Sequence, residues 1–270
     1  MTESPSYAGE FQGTGGGVFY RRWDPEEEPR RIVLILHGYA EHGGRYAHVA
    51  DRFTESGAVV YAPDHQGHGR SEGERASITD FESVVEDLHR LAGIARSDHP
   101  GRPLLLVGHS MGGLLAARFC QRWPEDVAGV AFIGAVIGDW SWAREVLGRP
   151  ELPYVPFDPA ALSRDPAAGE QYAADPLVYH GQYKRELLEA EVVALDRFQE
   201  DIVRITMPVL FLHGTDDPFV PYERSRQAVE GMPTTSLTIH IYPGARHELL
   251  NESNRDEVIG HLVEWLDDVA

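Results

Sequence analysis

Apolar and polar positions along the 270-residue chain fall into two alternating rhythms. Short apolar runs (Val18 to Trp23, Ile32 to Leu36, Ala58 to Ala62, Leu104 to Val107, Val127 to Gly134, Pro208 to Leu212 and Leu237 to Tyr242) have strand length and are bounded by turn residues. Other stretches carry apolar residues every three or four positions. Arg45 to Ser56 has Tyr46, Val49 and Phe53 at helical spacing, and Asp256 to Val269 sets Val258, Leu262, Trp265 and Leu266 on one side. Ile78 to Ser97 reads as a longer helix through Phe81, Val84, Val85, Leu88, Leu91 and Ile94, with Asp80 as its cap. Strands alternating with amphipathic helices predict an α/β protein whose mostly parallel sheet is covered on both faces. Residues 1 to about 12 are polar and are expected to be loosely held.

The rhythm breaks once. From about Ile137 to Arg204 no apolar strand recurs; short helical pieces, the prolines Pro150, Pro153, Pro156, Pro159, Pro166 and Pro176, and the aromatics Trp140, Trp142, Tyr154 and Phe157 take its place. The expectation is a core made of residues 1–136 and 205–270, with a mainly helical cap, 137–204, inserted after the strand ending at Gly134. Ligands bind at the carboxyl ends of strands in such sheets, so a cap there would roof the site. Its aromatics fit either a small core of its own or contact with substrate or membrane; Trp140, Trp142, Val146 and Leu147 are the membrane-facing set in the second case.

Bulk properties narrow the partners. The net charge of -19 opposes nucleic acid, which would be repelled, and disfavours anionic lipid surfaces. No stretch approaches the eighteen or so apolar residues of a membrane span, and the start from Met1 to Pro5 lacks signal-peptide character, so a cytoplasmic protein is expected. Cys120 is the single cysteine and reads as a packing residue.

Chemistry concentrates where the run Leu104 to Val107 breaks into Gly108-His109-Ser110-Met111-Gly112-Gly113 and resumes as a helix. A bare G-x-S-x-G arises by chance in roughly one such chain in ten. Set between a strand and a helix, it predicts a nucleophile elbow that exposes the Ser110 hydroxyl. A serine needs a base, and the base needs a carboxylate; in this sheet type they follow in the order serine, acid, histidine. Among thirteen histidines, His247 follows the last strand in a glycine-containing loop, whereas His240 lies within that strand and His261 within the final helix. Asp217, fixed before Pro218, is the favoured acid; Asp216 and Asp139 are the alternatives, and Asp64 reads as a turn residue. Oxyanion donors are expected from the backbone N–H of Met111 and, after the turn at His37-Gly38, of Tyr39.

These segments resemble the α/β-hydrolase family, and within it the monoacylglycerol lipases and related lysophospholipases. The likeness rests on Gly108 to Gly113, on His37-Gly38-Tyr39-Ala40-Glu41-His42-Gly43-Gly44-Arg45-Tyr46 and on Asp64 to Gly73, and reaches the cap at Leu162-Ser163-Arg164 and Tyr172 to Leu177. It implies a cofactor-independent esterase acting on a small lipid ester, with Ser110, Asp217 and His247 as triad and Tyr39 and Met111 as oxyanion amides. By the same resemblance Glu41, Arg45 and Tyr172 would lie near a polar pocket for the glycerol end; Glu41 and Arg45 fit a loop-fixing ion pair equally well. Leu250 departs from relatives that carry a histidine there. His65 and His68 belong to a shaped loop rather than a metal site. Lysophospholipase, broad carboxylesterase and perhydrolase activities are the rivals, and a hydrolase-like binding protein is the non-enzymatic one.

Overall fold

The computed structural model describes residues 5–153 and 157–270; Tyr154 and Pro156 of the predicted cap, and the first four residues, lie outside the described residues. Eight strands form one sheet: β1 (Tyr7–Gln12), β2 (Gly17–Trp23), β3 (Arg31–Leu36), β4 (Ala58–Pro63), β5 (Leu104–His109), β6 (Gly129–Ile133), β7 (Val209–Gly214) and β8 (Leu237–Tyr242). Their order is β1-β2-β4-β3-β5-β6-β7-β8. The β1–β2 and β2–β4 pairs are antiparallel, and every other pair is parallel.

Strand alternation divides the core in two. On β3, Ile32, Leu34 and Leu36 face one cluster while Val33 and Ile35 face the other; β5 does the same with Leu104 and Leu106 against Leu105 and Val107. The first face is covered by α2 (Phe81–Asp98), α3 (Met111–Arg122) and α7 (Tyr222–Glu230), the second by α1 (Ala47–Glu55) and α8 (Arg255–Val269). Asp80 caps α2, its carboxylate accepting from the Glu82 amide at 3.1 Å. That extended cap residue starts the helix at Phe81, later than the apolar spacing suggests. Gly43–Tyr46 likewise forms a 3₁₀ turn ahead of α1.

One expectation is corrected. Residues 7–12, expected to be loosely held, form the edge strand β1, with Tyr7 paired to Arg22 and Gln12 to Gly17. The Tyr7 and Phe11 rings stand 6.0 and 6.2 Å from that of Tyr20, which anchors this polar strand to the core.

Between β6 and β7 the described residues hold three α-helices, α4 (Ser141–Leu147), α5 (Pro166–Ala174) and α6 (Arg185–Glu200), and no strand. Helix α6 buries Leu187, Ala194, Leu195 and Phe198 in the main core. Trp140, Val146 and Leu147 pack around Ala143, Leu188 and Val192. Trp142 is 42% exposed beside Trp140, and Phe157, 48% exposed, lies against Tyr172 and Phe219. Cys120 is fully buried in the core, which pushes its thiol pKa up. No helix of the described residues is long and apolar enough to cross a membrane.

Candidate active site

Ser110 joins β5 to α3 with φ 52° and ψ −121°, a backbone conformation that costs a non-glycine residue energy. The neighbours explain how it is tolerated. A side chain at Gly108 would press on the backbone of Gly112 and Gly113, and one at Gly112 would collide with the carbonyls of Leu36 and His37. Close approach at both glycines draws the start of α3 onto the end of β3. The turn is then tied: Ser110 N donates to the Ile133 carbonyl at 3.0 Å, while its own carbonyl accepts from Gly113 at 2.9 Å and Val136 at 3.1 Å.

Asp217 and His247 meet at the end of the adjacent strand β6. His247 Nδ1 lies 2.8 Å from Asp217 Oδ2, and the Asp217 Oδ1 accepts from the amides of Phe219 and Val220 at 2.9 Å each. Gly134 makes room, since a Cβ there would come within 3.4 Å of His247 Nδ1 and 3.5 Å of Asp217 Oδ2. The His247 ring stands 4.7 Å from that of His109, the residue before Ser110. Burial alone would raise the Asp217 pKa, but His247 and His213 hold it far below the usual carboxylate range. Burial would lower that of His247, yet the Asp217 charge and hydrogen bond leave it above the ordinary value.

The competing groups lie elsewhere. Asp216 is exposed and accepts from the Thr215 hydroxyl, and the exposed Asp139 pairs with Arg224 at 2.8 Å. His240 and His261 stack on each other at 4.0 Å, with the Tyr242 hydroxyl on His261 Nδ1. Asp64 fixes its loop by accepting from Arg21, Gly43 N and Arg70 N.

The turn after β3 brings Gly38 against the serine: a Cβ on Gly38 would stand 3.1 Å from Ser110 Cβ. Among the described residues, neither the Tyr39 nor the Met111 amide donates to a protein acceptor. Glu41 and Arg45 form the ion pair. Glu41 Oε1 accepts from Gly38 N at 2.7 Å and the Tyr46 hydroxyl at 2.6 Å, and Oε2 accepts from Arg45 at 2.6 Å. Arg45 also forks onto both oxygens of Glu248 at 2.7 Å and lies under the Tyr172 ring at 4.9 Å. Glu248 and His213 were not singled out in the sequence. Glu248 adjoins His247, which was its one signal; His213, at the end of β7, offered none until its Nε2 was found 3.2 Å from Asp217. Chain 175–179 reaches the same turn, through His42 Nε2 to Asp175 at 2.8 Å and Tyr179 N to the Ala40 carbonyl at 2.8 Å.

The family of serine aminopeptidases S33 matches residues 27–254. A monoacylglycerol lipase of Mycolicibacterium smegmatis is 36% identical over 276 residues, 98% of this chain and 99% of its own length. Human monoglyceride lipase is 31% identical over 248 residues, 88% of this chain and 82% of its own. The crystal structure of a Paleococcus ferrophilus monoacylglycerol lipase superposes with a TM-score of 0.80 at 29% identity, covering 94% of this chain and 99% of that one. A soluble variant of monoglyceride lipase from Saccharomyces cerevisiae, in complex with a substrate analog, shares the fold with a TM-score of 0.85 at 20% identity, over 99% of this chain and 97% of that one. The chain belongs to the S33 family of α/β-hydrolases, as a lipase-like ester hydrolase related to the monoacylglycerol lipases.

Proposed function

We propose that the protein cleaves monoacylglycerols to fatty acid and glycerol, with Ser110 as nucleophile, His247 as general base and Asp217 as its orienting carboxylate. The observation that carries this reading is the buried His247–Asp217 pair, its imidazole against the ring of His109, which precedes a serine in strained backbone. With Nδ1–H donating to Asp217, the Nε2 lone pair of His247 is left to take the hydroxyl proton. Ser110 Oγ then bonds to the ester carbonyl carbon, and the oxyanion is received by the Tyr39 and Met111 amides. The imidazolium returns its proton to the glycerol oxygen as the C–O bond breaks, leaving an acyl-enzyme. Water, deprotonated by the same histidine, releases the fatty acid.

The family description names peptidases, so amide hydrolysis is the second reading. An aminopeptidase needs a free carboxylate to hold the substrate's α-ammonium group, and the carboxylate oxygens of Glu41 and Glu248 are all taken up by donors within the protein, from Arg45, Gly38 N, Tyr46 and Asn251. Ester cleavage fits better. The relatives at 36% and 31% identity, named for monoacylglycerol, support the substrate class. We read residues 137–204 as a cap over Ser110, supported by the bonds from Asp175 and Tyr179 to the turn after β3. The glycerol-side roles of Glu41 and Arg45 become indirect, since their polar atoms are engaged within the protein; Tyr172 remains a candidate wall of that pocket.

A hydrolysis series over monoacylglycerols of rising chain length tests this, with di- and triacylglycerol, lysophospholipid and a peptide amide alongside. Wild type is expected to favour monoacylglycerol and to be labelled by a fluorophosphonate. Ser110→Ala is expected to lose label and roughly 10⁴- to 10⁶-fold in turnover while staying folded. Near-normal turnover in that variant removes Ser110 from the mechanism, and faster cleavage of lysophospholipid moves the substrate assignment.

A further inference from the structure

The turn that carries Tyr39 is held from both sides of Gly38. Its N–H donates to Glu41 Oε1 at 2.7 Å, and its carbonyl lies 2.7 Å from His37 Nδ1. Carbonyl and amide of one trans peptide point in opposite directions, and no described peptide bond is cis. Whatever holds the Gly38 carbonyl therefore aims the Tyr39 N–H, which belongs to the same peptide unit.

The tautomer follows from the partners. His37 Nε2 accepts from the His65 backbone N–H at 2.9 Å, so Nε2 carries no proton, and the ring's proton sits on Nδ1, facing the carbonyl. His65 returns the contact, its Nε2–H donating to the His37 carbonyl at 3.1 Å with the two rings 3.9 Å apart. A doubly protonated His37 would set Nε2–H against the His65 N–H. The ring is fully buried, and burial together with His65 and His68 keeps its pKa well below the usual range.

We infer that His37 is a positioning residue for the ester hydrolysis: its Nδ1–H, fixed by the His65 backbone, clamps the Gly38 carbonyl so that the Tyr39 amide stays aimed at the oxyanion formed on the substrate of Ser110. This rests on the proposed mechanism and adds to it a group that touches no substrate. Ring and loop form a frame preset before substrate arrives. Stabilisation of the transition state then requires no rotation of that peptide during the reaction.

The test separates the two nitrogens of the ring. His37→Asn keeps a donor near the Nδ1 position, whereas His37→Gln places its polar end near Nε2 and loses the donor. Expected is a fall in kcat of about 10- to 100-fold for His37→Gln with KM within about threefold, and much smaller loss for His37→Asn. Affinity for a trifluoromethyl ketone, which forms the tetrahedral adduct on the serine, falls in step with kcat/KM. Equal kcat in both variants, a loss confined to KM, or unchanged ketone affinity overturns the inference. Should neither variant fold, long-range ¹H–¹⁵N correlation of the wild-type histidines decides: a bare Nε2 and protonated Nδ1 on His37, kept in the ketone adduct, supports the clamp, and any other tautomer overturns it. Ser110→Ala in the same series keeps the two failures apart, because an active Ser110→Ala protein sinks the mechanism, whereas an inactive one beside normal His37 variants sinks only the clamp.

Discussion

At the scale of single residues, the site is governed by what each buried polar group is bonded to. Asp217 uses one oxygen for two backbone amides and the other for His247, so its charge is fixed in place rather than shared with solvent. The protonated form of His247 is favoured by that charge despite burial, and in the mechanism we propose the base must be neutral, so it fails below its own pKa. The acid limb of kcat/KM on a water-soluble ester is therefore expected above pH ~6.5, the ordinary histidine value. Asp217→Asn removes the charge and leaves the burial, so the limb should move to lower pH while kcat drops about 10³- to 10⁴-fold. An acid limb that stays in place in that variant would separate Asp217 from His247. Ser110, Asp217 and His247 could be selected from the chain because each stands just past an apolar run, and the sheet brings those ends together. The Arg45–Glu248 fork could not, since 203 residues separate its partners and nothing in either local sequence records the other.

Elements were legible to the extent that they bury a regular apolar face. Helix α2 presents Phe81, Val84, Val85, Leu88 and Leu91 inward and was found from spacing alone; α7 buries little beyond Ser225, Ala228 and Val229 and gave no such pattern. Strand β1 escaped for a related reason, being an edge with four positions exposed and two half-buried. Burial also tells where a helix can be improved. Gly93 lies on the exposed side of α2 and a Cβ there meets nothing within 4 Å, so Gly93→Ala should stabilise the protein by about 0.8 kcal/mol through backbone entropy. Urea denaturation with an unchanged slope measures it; a lower midpoint would mean that the position is not the open helical site described.

For the whole molecule, 43 acidic residues against 24 lysines and arginines make pH the main lever on stability. Burial would raise the Glu41 pKa, but Arg45 and the donors around it hold it at about 2, and Asp217, Asp175 and Glu252 are also lowered by their partners. Unfolding returns these groups to about 4, so their contribution is complete above that value and disappears as pH falls toward 2. His247 acts in the opposite sense, contributing below ~6.5 and losing that as pH rises through its higher folded value. The buried His37, His65, His68 and His109, whose pKa values burial lowers, add stability that is lost as pH falls below ~6.5, while Glu191, raised by burial to about 8, costs stability as pH rises toward that value. Chemical denaturation across pH should therefore show stability falling below about pH 6.5 and more steeply below about pH 4; a flat profile from pH 6 to 3 would contradict it. Helix α6 sets a different boundary, on motion. Leu187, Leu195 and Phe198 root it in the same core as α2 and α3, at roughly 2 kcal/mol apiece, and Gln121 holds its last turn through the Phe198 carbonyl at 2.8 Å. Detaching that helix at each turnover would spend much of the stability of a protein this size. Whatever path admits substrate must therefore leave α6 seated.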